Sequence, residues 1–232
     1  MPRRAAPGGV PVTVSARRCR AGVRPLGSTR VAYAALARRR LSVYAAPRFG
    51  RPLHRFGRID VNGYPVLFGV LSQRTGRACH AAWYRVQLPT TPNGATGWVP
   101  ASAVRLFRVE TRIVVDLSAR RLVAYRRGRK VLETPVSVGT PQTPTPSGRF
   151  YVDERFVLTS ADGPFGPAAL GISAHSDVLH DWVQDGPIGI HGTDEPSLIG
   201  QAASHGCVRL ANDAMRRLFA LAPAGTPVVI RA

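Results

Sequence analysis

Acidic residues and lysine are both scarce in this sequence. It contains 13 Asp and Glu against 32 Lys and Arg, for a formal net charge of +19, and Lys130 is its only lysine. Long apolar runs are missing too. No stretch approaches the ~18 to 20 residues that a membrane-spanning helix needs, so we expect no transmembrane segment.

Cysteine is the third scarce residue type. The chain has three, Cys19, Cys79 and Cys207, and an odd number leaves at least one thiol without a disulfide partner. The sequence leaves a Cys19–Cys79 disulfide in an oxidising compartment open. We expect Cys207 to carry the free thiol.

The positive charge is concentrated at the N-terminal end of the chain. Residues 1–58 hold fourteen arginines and no acidic residue, whereas residues 109–232 hold thirteen basic and twelve acidic residues. A nearly neutral C-terminal segment argues against a nucleic-acid enzyme, so we expect no nucleic-acid partner. Residues 1–40 lack apolar periodicity and are predicted to be a disordered basic arm, whose alternative role is attraction to a polyanion.

Residues 41–106 contain short strand-like runs separated by turn residues. The run 83–88 is one example, and Asn93-Gly94 supplies the positive φ that a tight hairpin needs. This spacing predicts a small β-barrel. Its last two strands resemble the final hairpin of bacterial SH3-like modules, which implies binding of a polymer or a peptide. The alternative is that aromatic residues such as Trp98 only form a core.

From residue 109 onward the sequence predicts a mainly β domain with one substantial helix. Alternating apolar residues predict strands at 112–117, 121–126, 131–139, 148–153 and 226–230. A helix is predicted to extend to Ala222, with Asn212 or Asp213 as its N-cap. Residues 160–186 are rich in Gly and Pro, and we expect them to form an irregular lid that includes Phe165 and Trp182.

Two short motifs hold the residues that can do chemistry. One is Ser204-His205-Gly206-Cys207, and the other is His191-Gly192-Thr193, which follows an apolar strand-like run. A cysteine with its ordinary pKa of about 8.5 needs a base or oriented donors to become a nucleophile. The motifs therefore favour an acyl-transfer enzyme with Cys207 as nucleophile and His191 as base.

A zinc site is the alternative reading of this region. Imidazole and thiolate both bind Zn²⁺, and five such side chains fall close together in the sequence: His175, His180, His191, His205 and Cys207. The second cysteine of a typical site is missing, and His205 and Cys207 are spaced too tightly to chelate one ion. We therefore expect no metal and no other cofactor.

The same motifs, extended through Val208-Arg209-Leu210, resemble the signature of the L,D-transpeptidase catalytic domain of bacterial cell-wall enzymes. The resemblance continues in Thr145-Pro146-Ser147-Gly148-Arg149-Phe150 and in Gly225-Thr226-Pro227-Val228, and it covers about residues 109–231. It implies a β-sandwich-like catalytic domain with a loop lid over the site, preceded here by the 41–106 module.

The resemblance also implies a role for each residue of the signature. Cys207 would be the nucleophile and His191 the proton donor and acceptor. The backbone N–H groups of Gly206 and Cys207 would form the oxyanion hole. Arg209 would either anchor the loop or contact a carboxylate. The residues implied to support the substrate or the oxyanion are Ser204, His205, Gly206, Arg209, Gly192 and Thr193.

The implied substrate is a peptidoglycan tetrapeptide stem. The thiolate would attack the carbonyl of the third residue, release D-alanine, and pass the acyl group to an amine on another stem. The alternatives are an L,D-carboxypeptidase that transfers the acyl group to water, and a non-catalytic wall-binding protein. Such enzymes act outside the cytoplasmic membrane, and no export signal is evident in the sequence. Anionic wall polymers would be the partners of the basic arm.

Overall fold

The computed structural model describes residues 21–76, 80–179, 181, 184 and 186–232. These residues form two β-rich modules, an N-terminal module up to Val109 and a C-terminal module from Thr111 onward. Cys19, Cys79, His180 and Trp182 lie outside the described residues. Their predicted roles in a disulfide, a zinc site and a lid therefore stay predictions.

The N-terminal module is built from eight strands: β1 (Gly22–Pro25), β2 (Ala32–Ala37), β3 (Leu41–Val43), β4 (His54–Phe56), β5 (Leu67–Thr75), β6 (Ala81–Gln87), β7 (Thr96–Pro100) and β8 (Val104–Val109). An antiparallel sheet has the order β7-β6-β5-β2-β8, and β1 pairs with β5. Strands β3 and β4 form a separate hairpin. The apolar side chains of β2, β5, β6 and β7 make one core between them.

The prediction that residues 1–40 form a disordered arm is wrong for the C-terminal end of that segment. Strand β2 lies inside the sheet between β5 and β8, and both Ala34 and Ala35 are fully buried. The strand escaped prediction because it is mostly alanine, a residue without strand preference, and arginines flank it. The SH3-like resemblance of residues 41–106 stays a prediction.

The C-terminal module holds ten strands and one helix among the described residues: β9 (Thr111–Asp116), β10 (Arg121–Arg126), β11 (Arg129–Pro135), β12 (Val138–Gly139), β13 (Gly148–Val157), β14 (Ala168–His175), β15 (Pro187–His191), β16 (Ala202–Ser204), β17 (Val208–Arg209), α1 (Asn212–Leu221) and β18 (Pro227–Arg231). Eight strands form a sheet in the order β11-β10-β9-β18-β13-β14-β15-β17, and β12 pairs with β16.

Helix α1 packs on β14 and β11 and buries Met215 and Leu218 in the core of the C-terminal module. The prediction of a mainly β fold with one substantial helix is therefore confirmed. Among the described residues no helix has the length and the apolar character needed to cross a membrane.

The prediction that residues 160–186 form one irregular lid is wrong for its middle part. Strand β14 runs through this segment and lies between β13 and β15. Every second residue from Ala168 to Ala174 is buried, and Ser173 is buried as well, but alanine stands at the first and last of these alternating positions, where Val or Ile would mark a strand. The glycines and prolines on both sides of β14 therefore concealed a central strand.

A buried contact joins the two modules at Tyr151 of β13. This side chain is 1% exposed and packs with Ala34, Leu67 and Val109 in a small core shared by both modules. Its hydroxyl donates to the Leu67 carbonyl oxygen at 3.1 Å, and burial raises the pKa of Tyr151 well above its ordinary value. The phenol therefore stays protonated and serves as a hydrogen-bond donor between the modules.

Replacing Tyr151→Phe keeps the packing but removes this donor, so the free energy of unfolding should fall by about 1 kcal/mol in urea denaturation. Tyr125→Phe is the matched control, because its ring contacts the Arg112 guanidinium at 5.1 Å and Phe keeps a ring there. An equal effect of the two substitutions would contradict the proposed contribution of the Tyr151 hydroxyl.

Candidate active site

The pairing of β15 with β17 brings the two predicted catalytic residues to one face of the sheet. The strands are parallel, and Ile190 is paired with Val208. Both of these side chains are fully buried on one face, so His191 and Cys207, each one residue away, lie toward the other face. The Gly189 N–H donates to the Cys207 sulfur at 3.4 Å. The imidazole at the end of β15 and the thiol one residue before β17 thus lie on neighbouring strand ends.

His191 is held in one orientation by its neighbours. It is 3% exposed, and its Nδ1 lies 2.6 Å from the Gly192 carbonyl oxygen. Because a carbonyl only accepts hydrogen bonds, Nδ1 carries the proton and Nε2 keeps its lone pair. The Phe165 ring meets the imidazole edge to face at 4.9 Å between centroids. The segment predicted as a lid therefore contacts the imidazole through Phe165.

Burial, with a smaller effect of the Arg209 charge, lowers the pKa of His191 to about 4, against the opposing effects of the Gly192 carbonyl and Asp194. The imidazole is therefore neutral at pH 7. A neutral ring with a protonated Nδ1 can accept a proton at Nε2. That is the state required of a general base.

Cys207 has a free thiol, as predicted, and its side chain is half-buried. Burial raises the pKa of the thiol, while the Gly189 N–H and the Arg209 charge act in the opposite direction. The net direction is upward, so the thiol is protonated at neutral pH. Its activation needs a base, and His191 is neutral and available for that role.

The turn before Cys207 is closed by Ser204. Its hydroxyl, on a side chain 1% exposed, donates to the Cys207 carbonyl oxygen at 2.6 Å and accepts from the Gly206 N–H at 3.1 Å. Gly206 has φ +114°, and a Cβ there would lie 2.9 Å from Ile188. Of the two predicted oxyanion donors, the Gly206 N–H is thus already used by Ser204. The Cys207 N–H is the remaining candidate.

Arg209 links β17 to the loop after His191. Its guanidinium, 19% exposed, donates to the Glu195 carboxylate at 3.0 Å, and its backbone exchanges two hydrogen bonds with Ser137, each 2.9 Å long. The sequence left loop anchoring and carboxylate contact open as alternatives. In the structure, Arg209 contacts a carboxylate of the protein itself and so anchors the loop.

Asn212 is a site residue whose role the sequence did not reveal. Its side-chain oxygen accepts from the Thr193 N–H at 2.8 Å, and its amide donates to the Ala161 carbonyl oxygen at 3.2 Å. Asn212 does not cap α1, since the N-cap position is Ala211, which provides no side-chain hydrogen bond. A Cβ on Gly192 would collide with the Asn212 amide oxygen, so glycine is needed beside the base.

The remaining predicted residues are spread around the site. His205 is exposed next to the turn, and Thr193 is buried, with its hydroxyl accepting from the Glu195 N–H at 2.9 Å. In the part of the chain that the structure describes, no group of three or more His, Cys, Asp or Glu side chains is arranged to hold a metal ion. His175 and His205 therefore do not join His191 and Cys207 in a metal site there.

Residues 110–230 match the YkuD family model, described as the L,D-transpeptidase catalytic domain. The chain is 39% identical over 119 residues to the YkuD protein of Bacillus licheniformis, and the match covers 51% of this chain and 64% of that relative. It is 33% identical over 124 residues to YkuD of Bacillus subtilis, covering 53% and 68%.

The chain also matches a solved structure of an Enterococcus faecium L,D-transpeptidase. The identity is 30% and the TM-score 0.40, over 52% of this chain and 49% of that one. The chain thus spans less than two thirds of the length of the Bacillus licheniformis relative and about half of the enterococcal chain.

Arg209→Gln should raise the pKa of the Cys207 thiol, because the substitution removes the positive charge that now lowers it. Iodoacetamide labelling of the Cys207 peptide, followed by mass spectrometry across pH, should then reach half of its maximal rate at a higher pH. Arg231→Gln is the control, since Arg231 pairs with Asp116 on other strands. An unchanged labelling midpoint in Arg209→Gln would count against this electrostatic role.

Proposed function

The chain belongs to the L,D-transpeptidase catalytic-domain family, and on that premise we propose that it is a peptidoglycan L,D-transpeptidase that uses Cys207 as its nucleophile and His191 as proton donor and acceptor. The observation that carries the proposal is the pairing of β15 with β17. This pairing supports a half-buried thiol and a neutral imidazole on the same face of adjacent strands.

The proposed reaction begins with a tetrapeptide stem whose third-residue carbonyl lies against Cys207. His191 Nε2 takes the thiol proton as sulfur attacks the carbonyl carbon, and the carbonyl oxygen becomes an oxyanion. We assign the Cys207 N–H as its donor, because Ser204 already occupies the Gly206 N–H. The tetrahedral intermediate then expels D-alanine, whose amine receives the proton from His191, and a thioester on Cys207 remains.

The second half of the reaction releases the acyl group. An amine of another stem attacks the thioester carbonyl, His191 accepts the amine proton, and that proton returns to the departing Cys207 sulfur. Water in place of the amine would give an L,D-carboxypeptidase with the same acyl-enzyme. The acceptor alone therefore separates transfer from hydrolysis.

Supporting residues act in this scheme through the contacts described above. Ser204 holds the turn that presents the Cys207 N–H, and Arg209 lowers the cost of forming a thiolate near His191. Gly192 and Thr193 place the base through Asn212. His205 is exposed beside the nucleophile, so we assign it to contact with the stem peptide. Since peptidoglycan lies outside the cytoplasmic membrane, the proposed site of action is extracytoplasmic.

Cys207→Ala should abolish release of D-alanine from a tetrapeptide stem, with a loss of at least about 1,000-fold, and leave the circular dichroism spectrum unchanged. A carbapenem should add covalently to the wild-type protein and not to this variant, as intact mass will show. Cys79→Ala is the matched control and should still release D-alanine and still form the carbapenem adduct.

Products analysed with and without an acceptor amine distinguish the two acyl-transfer outcomes. A cross-linked product that forms only with the amine supports transpeptidation, whereas a free tripeptide in both cases identifies a carboxypeptidase. D-alanine release that survives Cys207→Ala would overturn the assignment of the nucleophile.

A further inference from the structure

A side chain of the N-terminal module clamps the end of β14 in the C-terminal module. Asn93 lies in the turn between β6 and β7, and its amide makes two hydrogen bonds with the backbone of His175. The Asn93 Nδ2 donates to the His175 carbonyl oxygen at 2.7 Å, and the His175 N–H donates to the Asn93 Oδ1 at 2.9 Å. The same Nδ2 lies 3.0 Å from the Asp177 carboxylate. The amide thus pairs with this strand end as a neighbouring strand would.

The clamped residue stands where the sheet itself is irregular. Strands β14 and β15 pair regularly from Ala169 to Gly171, but the register shifts before the next pair, which joins His175 to Pro187. Beyond this shift the start of β15 is held to β14 at the His175–Pro187 pair and by the Ser176 N–H, which donates to the Gly186 carbonyl oxygen at 2.8 Å, so Asn93 acts on the residue at which the pairing resumes. Because a one-residue slip turns side chains to the opposite face, an additional constraint at this point has a structural consequence.

The start of β15 leads directly to the nucleophile. Gly189, two residues beyond Pro187, donates its N–H to the Cys207 sulfur, and His191 follows two residues later on the same face. A continuous line of contacts therefore joins Asn93 to His175, to Pro187 and on to the thiol. The other end of this line lies in a module outside the matched catalytic domain.

We propose that Asn93 is a positioning residue for the active site. By holding the backbone of His175 it fixes the register of β15. That register in turn sets the positions of the Gly189 N–H and of His191 relative to Cys207. This inference rests on the proposed function of Cys207. It makes the N-terminal module a functional part of the catalytic centre.

Two other contacts between the modules involve β13 and provide the comparison. Gln87 of β6 donates to the Arg149 carbonyl oxygen at 2.7 Å, and the Tyr151 hydroxyl reaches Leu67. The Gln87 hydrogen bond reaches β13 alone, whereas Tyr151 also donates its N–H to the Ser173 hydroxyl of β14 at 3.2 Å. Gln87→Ala therefore removes a hydrogen bond of the same kind between the same modules without loosening the start of β15.

Asn93→Ala should lower kcat for D-alanine release roughly tenfold with KM within about twofold, because misplacement of reacting groups costs rate more than binding. It should also move the pH midpoint of Cys207 labelling upward, since the Gly189 hydrogen bond lowers the thiol pKa. Gln87→Ala should leave kcat and the labelling midpoint unchanged.

A second pair of substitutions tests the hydrogen bonds of the Asn93 amide directly, and it replaces the alanine variant if Asn93→Ala folds poorly. Asn93→Asp sets a second carboxylate against Asp177 and should lower kcat at least as much as the alanine variant. Adding Asp177→Asn removes that repulsion and supplies an amide donor in the opposite direction. The double variant should therefore return kcat only to about the level of Asn93→Ala, because a carboxylate at position 93 still cannot donate to the His175 carbonyl oxygen.

The proposal is overturned if Asn93→Ala and Gln87→Ala shift kcat and the labelling midpoint equally, or if the double variant regains the wild-type kcat without a donor to the His175 carbonyl oxygen. Its failure is distinct from failure of the proposed function. A wild-type protein that releases no D-alanine would refute the function, while the labelling midpoints of the same variants would still decide the role of Asn93.

Discussion

The parallel pairing of β15 with β17 is the constraint on which the active site depends. It sets Ile190 against Val208 in the core and so turns His191 and Cys207 to the same side. The Gly189 N–H then meets the sulfur at 3.4 Å. Slippage of either strand by one residue would place one of the two side chains in the core. The hydrogen bonds of Ser204, Asn212 and Asn93 all act to keep these two strand ends in place.

Burial is the second determinant of the active site, and it shifts the pKa values of His191 and Cys207 in opposite directions. It lowers the pKa of His191 to about 4 and raises that of Cys207, so both groups are neutral at pH 7. An imidazolium–thiolate pair would be costly in this pocket before a substrate arrives. In the proposed mechanism the proton moves only as the sulfur attacks. Arg209 reduces the cost of the negative charge on sulfur at that moment, while it disfavours the positive charge on His191.

Local patterns in the sequence were sufficient to predict most strands and to single out the motifs that contain Cys207 and His191. The thiol next to Gly206 and the histidine at the end of an apolar run are recognisable from sequence, because packing alone does not call for a cysteine or a histidine at those positions. Strand β14 was missed because alanines occupy two of its buried positions, Ala168 and Ala174, and glycines and prolines flank it. Asn93 and Asn212 act on backbone groups 82 and 19 residues away, and such pairings arise only in the folded chain. From the sequence alone, Asn93 was predicted to be a turn residue and Asn212 a helix cap.

The state of His191 in the free protein tests this account most directly. Nitrogen-15 NMR of the imidazole at pH 7 reports which ring nitrogens carry protons. We predict a neutral ring protonated at Nδ1, as the 2.6 Å contact with the Gly192 carbonyl requires. A ring protonated at both nitrogens, with loss of its charge in Cys207→Ala, would show a preformed imidazolium–thiolate pair. That result would contradict the account of a neutral pair.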